Sequence, residues 1–153
     1  MRKAETKRAE KLAEEERKRK ETEHRLRRFE QARGEYNLRW AELLASLSEI
    51  GDGELAFYDI PWPVVAAYRR RRSEGGQIGL EDLTAEAISS FLLPELRSEV
   101  DNTKKDRLRG AIRRFHPDKF EGRFINKVKE EDREIVLEGI GQVSRVLNSL
   151  LSA

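Results

Sequence analysis

The first 33 residues contain neither Gly nor Pro and consist almost wholly of Glu, Lys, Arg and Ala. Such a stretch has too little apolar surface to form a core of its own, and its residues are strong helix formers. Residues 1–35 hold 13 basic and 9 acidic side chains. Glu lies four residues before a base in Glu14–Lys18, Glu15–Arg19, Glu16–Lys20, Glu21–Arg25 and Glu23–Arg27. Each such pair adds a few tenths of a kcal/mol to a helix. The expectation is a long solvated helix, frayed at its start.

From Leu26 the helix acquires an apolar seam. Leu26, Phe29, Tyr36, Trp40, Leu43, Leu47 and Ile50 follow alternating steps of three and four, with Arg33 at the skipped place. That is a heptad pattern, about three heptads long. It packs on the domain that follows or, as the alternative, mediates self-association through residues 26–50. Gly51-Asp52-Gly53 is expected to end the helix.

Leu55 to Pro63 reads Leu-Ala-Phe-Tyr-Asp-Ile-Pro-Trp-Pro. Two prolines flanking a Trp exclude a helix interior or a central strand, so a buried irregular segment is expected, with Trp62 as an anchor. Pro63 can open a helix reaching Tyr68. Arg69–Arg72 is a basic run, Ser73–Gly76 a loop. A helix spans Leu80–Leu93, capped by Asp82 or Thr84 and closed by Pro94. The next begins near Thr103 with Asp106 as a capping-box variant, carries Leu108, Ala111, Ile112 and Phe115 on one stripe, and stops at Pro117. Asp118–Lys129 reads as a loop. The last helix starts at Glu130-Glu131-Asp132 and carries Val136, Leu137, Ile140, Val143, Leu147, Leu150 and Leu151 as its apolar stripe. No strand pattern and no internal repeat is visible.

Composition narrows the function. The chain lacks Cys, so thiolate chemistry, disulfides and Cys-based zinc sites are excluded. Its two histidines, His24 and His116, are far apart in sequence, and no metal cluster or cofactor motif accompanies them. No apolar run approaches the length of a membrane span, and the N-terminus lacks the apolar stretch of a secretory signal. An intracellular, non-enzymatic protein with no cofactor and no membrane partner is expected. Charged residues make up 39% of the chain, well above the roughly 25% of an average domain, so part of it should remain solvated.

The most informative stretch is Arg-Arg-Phe-His-Pro-Asp-Lys-Phe at 113–120. Between Lys104 and Lys119 seven bases face two acids, Asp106 and Asp118. Lys105, Arg109 and Arg113 repeat at a helical spacing of four, with Arg114 beside them. A basic stripe ending at an exposed polar turn suits an acidic partner. The rival readings are a rigid helix-ending turn, phosphate-backbone contact by the basic helix, and a His–Asp catalytic pair. Catalysis would need a nucleophile or pocket beside the His, and no Ser elbow, phosphate loop or metal cluster supplies one.

These residues resemble two families. A basic helix, a His-Pro-Asp turn and a second amphipathic helix are similar to a J domain. The likeness extends to Phe115 and Leu108, one and eight residues before the His, to the Ala111–Ile112 pair, and to Lys105, Arg109 and Arg114 on the basic face. After the turn, Leu137, Ile140, Val143 and Leu147 follow the spacing of the second helix. The chain departs from a J domain in carrying Val143-Ser144 where Ala-Tyr is usual and in the extra Pro61–Val100. The resemblance implies docking of a seventy-kilodalton heat-shock chaperone, with His116, Pro117 and Asp118 as the contact turn and Lys105, Arg109, Arg113 and Arg114 steering the partner. Phe57–Pro63, Phe115–Phe120, Glu131–Glu134 and Val143–Asn148 together resemble the C-terminal region of NF-kappa-B inhibitor-like proteins. That likeness implies a nuclear, non-enzymatic protein linked to restraint of signalling and to pre-mRNA splicing. The rival to chaperone docking is therefore an RNA-associated splicing factor or adaptor. Arg69–Arg72 and Arg17–Lys20 read as solvated charge or, more sharply, as nuclear import signals.

The expected fold is all-α. A long charged helix occupies residues 1–50. A J-like domain follows at 51–153, with an antiparallel hairpin over 103–151 and a helical insertion at about 61–100. Its expected core is Trp62, Phe91, Leu108, Ile112, Phe115, Ile140, Val143 and Leu147, with Trp40 and Leu43 docking from outside.

Overall fold

The computed structural model describes residues 2–68, 78–93 and 101–152. They form five α-helices: α1 (Arg2–Ala45), α2 (Ala85–Leu92), α3 (Asp101–Arg114), α4 (Pro117–Phe124) and α5 (Arg133–Ser152). Short 3-10 turns join them. No strand forms among the described residues. One parallel bridge pairs Leu55 with Val128, where Leu55 N donates to Lys127 O and Lys129 N donates to Leu55 O. The all-α reading holds. The basic run Arg69–Arg72, the loop Ser73–Gly76 and Pro94 lie outside the described residues.

The N-terminal half of α1 stands in solvent. Every residue from Arg2 to Arg25 is exposed. Glu14–Lys18 and Glu23–Arg27 form as the spacing expects, while Arg19 pairs with Glu16 one turn back instead of Glu15. Such exposed pairs stabilise little individually. The seam then does the opposite of the solvated part: Tyr36, Trp40 and Leu43 are buried, joined by Ala32, with Phe29 packed at the edge. The seam is therefore packed within its own chain. Trp40 is 1% exposed, so it is a central core residue and not an outside contact. The Trp40 indole N–H donates to Pro61 O at 2.9 Å. Its ring meets Phe115 and Phe124 edge-on, with centroids 5.3 and 6.0 Å away.

Helix α1 ends earlier than the glycines suggest. It stops at Ala45, and a 3-10 turn over Leu47–Glu49 carries the chain onward. The Ser46 hydroxyl donates back to the Glu42 carbonyl, a bond that competes with regular helix winding. Leu47 and Ile50 still reach the core. Gly53, at φ +70°, makes the reversal behind them.

The segment around Trp62 is irregular and buried, as its prolines dictate. The Trp62 N–H donates to Phe57 O at 2.8 Å, and the Tyr68 hydroxyl donates to Trp62 O at 2.8 Å. Pro63 opens no helix to Tyr68. Only the 3-10 turn Val65–Ala67 forms. In the next segment both expected caps are used, but by different turns. Asp82 accepts from Gly79 N at the 3-10 turn Leu80–Asp82, and Thr84 accepts from Ala87 N at the start of α2. Helix α2 is accordingly shorter than the expected 80–93. Helix α3 starts at Asp101, two residues before Thr103, and Asp106 sits in its second turn opposite Arg109 instead of capping it.

The inserted segment belongs to the core. Ile88, Phe91 and Leu92 of α2 are buried against α5, α3 and α1. Arg33, the one base in the α1 seam, donates to the Phe91 carbonyl, and Arg107 of α3 donates to the Leu92 carbonyl at 2.7 Å. Two cations thus meet the C-terminal carbonyls of α2, where the helix dipole is negative. The expected core residues are buried, except that Ile112 is only partly covered.

Candidate docking surface

The His-Pro-Asp turn sits between two buried rings. Phe115, just before it, is fully buried. It stacks on Trp62 at 5.9 Å and receives the edge contact from Trp40. Phe120, just after it, is 1% exposed and stacks on Phe124 at 4.9 Å. The intervening His116, Pro117, Asp118 and Lys119 are all exposed. A short exposed turn with its flanking residues locked in the core is held in a fixed place.

That turn does not lead into a loop. Pro117 begins α4, and the expected loop Asp118–Lys129 is a helix to Phe124 followed by a 3-10 turn. Pro is compatible with the first helical position because its missing N–H is unneeded there. His116 is the N-cap, with extended backbone (φ −68°, ψ 121°). Its carbonyl accepts from Phe120 N at 2.9 Å, while its ring makes no capping bond. Asp118 lies in the first turn of α4, where a carboxylate suits the helix dipole. Neither side chain bonds another described residue. The simple hairpin is thus modified: α4 stands between α3 and α5, and both pack on α5.

The basic face divides into two groups. Lys105, Arg109 and Arg113 are exposed along α3, and Asp106 lies 4.0 Å from Arg109. Arg114 faces elsewhere. Its guanidinium donates to Asn37 Oδ1 at 2.8 Å and lies over the Tyr36 ring, 4.9 Å from the centroid. It joins α3 to α1, so its first task is structural. Burial pushes the Tyr36 phenol pKa up, and the Arg114 charge pulls part of that shift back. No metal-binding group of His, Asp and Glu occurs among the described residues, and no helix there is long and apolar enough to cross a membrane.

Sequence reasoning missed a groove beside the turn. A cavity of about 260 Å³ lies between α1, α3 and α4. Trp40 and Leu44 come from α1, Gly110, Arg113 and Arg114 from α3, and Lys119, Phe120, Arg123 and Phe124 from α4. The signal was present in the sequence. Phe120 and Phe124, four apart, are an apolar helical pair, and Lys119 and Arg123 repeat the same spacing. Reading that stretch as a loop hid both.

No curated protein and no solved structure gives a significant match to the chain. Residues 86–153, which take in most of α2, the basic helix, the His-Pro-Asp turn, α4 and α5, match the family model of the NF-kappa-B inhibitor-like protein 1 C-terminal domain.

Proposed function

We propose that the chain is a non-enzymatic, nuclear docking protein whose His116-Pro117-Asp118 turn and basic α3 face engage a protein partner, a seventy-kilodalton heat-shock ATPase. One observation carries the reading. The fold is held by Phe115, Pro117 and Phe120, while the exposed side chains of His116 and Asp118 bond no other described residue. The Asp118 carboxylate suits the α4 dipole, but the exposed His116 side chain serves no packing or capping role, and a contact surface would use it. Lys105, Arg109 and Arg113 lead up to the turn along one face and would steer an acidic partner surface. Arg114 holds the α1–α3 joint and supports that face from behind. No catalytic step is assigned to this chain, and no cofactor is needed. ATP hydrolysis would be the partner's.

The test is equilibrium binding of the ATP-loaded chaperone to the whole protein. His116→Gln and Asp118→Asn should each abolish measurable binding. The double variant Lys105→Glu/Arg109→Glu should weaken binding about tenfold or more. Unchanged binding in all three would remove the reading.

A second reading is an RNA-associated splicing factor, with the turn only structural. The exposed bases Arg17–Lys20 on the solvated part of α1, three of them paired with Glu14 or Glu16, are the basic surface it would use. It predicts RNA affinity that falls steeply with salt.

A further inference from the structure

The groove beside the turn has a composition of its own. None of its lining residues is acidic. Arg113, Lys119 and Arg123 are exposed and pair with no carboxylate among the described residues. Arg114, already bonded to Asn37, adds a fixed positive charge to the wall. The floor between these cations is apolar. Leu44 is 43% exposed there and lies among the cations of the groove. Gly110 leaves the α3 wall open, since a Cβ at that position would meet nothing closer than Arg113 Nη2 at 4.0 Å. Neither backbone conformation nor packing therefore requires glycine at 110.

We propose that this groove, floored by Leu44 and Gly110 and rimmed by Arg113, Lys119 and Arg123, receives an acidic peptide segment bearing a large apolar anchor. The inference rests on the protein-docking reading and names the kind of segment a partner would present. Charge complementarity selects an anionic occupant, and the exposed aliphatic floor selects one with an apolar side chain. The same geometry disfavours single-stranded RNA. Base stacking needs open aromatic faces, and Trp40, Phe120 and Phe124 are each at most 3% exposed. Lys119 follows Asp118 directly, so an occupant of the groove would run alongside the His-Pro-Asp turn.

The experiment is fluorescence anisotropy with the whole protein and a labelled synthetic peptide. The peptide is rich in Asp and Glu and carries one Leu and one Phe. Two further probes are the same peptide with Leu and Phe replaced by Ser, and a U-rich RNA oligonucleotide. The anchored peptide should bind. Lys119→Glu/Arg123→Glu should weaken it about tenfold or more, as loss of charge complementarity does. Gly110→Leu fills the groove without changing its charge and should weaken binding about fivefold or more, a shift of the size one apolar contact makes. Removing the anchors should cost a similar factor. Circular dichroism of each variant establishes that it is folded. Arg8→Glu/Lys11→Glu, on the solvated part of α1, should leave peptide affinity unchanged, and chaperone binding measured on the same groove variants tells loss of docking at the turn from loss of groove binding. Affinity untouched by both groove variants would overturn the proposal. So would an anchor-free peptide that binds equally well, or RNA binding that depends on the same residues more strongly than peptide binding does.

Discussion

At the residue scale, three side-chain environments set measurable properties. The Tyr36 hydroxyl is buried without a well-formed hydrogen bond; the Arg114 guanidinium lies over its ring and offers it at most a poorly aligned contact. An unsatisfied buried donor costs free energy, so Tyr36→Phe should stabilise the fold by about 1 kcal/mol in urea titration at neutral pH. The same tyrosine gives the pH dependence a sign. Its folded pKa is raised above the ordinary value of 10.0 by burial. Above that value the unfolded chain releases the phenolic proton while the folded chain keeps it. Stability is therefore intact below pH 10 and falls as pH rises towards the folded pKa, by about 1.4 kcal/mol per pH unit for one group. Tyr68 is shifted in the same direction, mainly by burial. Urea titrations repeated above pH 10 should show the slope, and Tyr36→Phe should make it shallower. Gly139 is the third case. A Cβ there would lie 2.8 Å from Trp62 Cη2 and 3.2 Å from Leu83 Cδ1. Both atoms belong to fully buried side chains. Gly139→Ala should therefore destabilise by about 1–3 kcal/mol despite the better helix propensity of Ala, lowering Tm by several degrees.

At the scale of elements, α1 is two helices in energetic terms. Residues 2–20 are all exposed, so deleting them should reduce the helical circular dichroism signal and leave Tm within about 2 °C. Trp40→Ala, one helix further along, should cost about 3–5 kcal/mol because Trp40 joins α1 to Pro61, Phe115 and Phe124 at once. This division was legible in the sequence: the uninterrupted Glu, Lys and Arg ended where the seam of Leu26, Phe29, Tyr36 and Trp40 began. The apolar stripes of α3 and α5 were equally legible, because they are long and periodic. Short elements were not. Pro117 ended α3 in the reading, but a proline that stops one helix can also open the next, and only the Phe120–Phe124 spacing distinguishes the two. The end of α1 misled for a related reason. Gly51 and Gly53 mark a reversal of the chain, yet the helix had already tightened at Ser46. Arg114 matched the basic pattern by type and spacing, but its partner Asn37 lies on another helix, and no single-helix pattern reveals that.

At the scale of the molecule, one core unites all five helices. Two tryptophans from distant parts of the chain, Trp40 and Trp62, meet on Phe115, the residue before the turn. A fully buried ring thereby fixes the position of the exposed turn that follows it. His116 and Asp118, whose side chains bond no other described residue, project between a basic helix and a basic groove. Docking of a partner at that point is the account's central claim. Single-turnover ATP hydrolysis by a seventy-kilodalton heat-shock ATPase, with and without the whole protein, tests it most directly. The account predicts acceleration by the wild-type chain and none by His116→Gln, which replaces an exposed side chain and should leave the fold unchanged. Equal hydrolysis rates with wild type, with folded His116→Gln and with no added protein would contradict it.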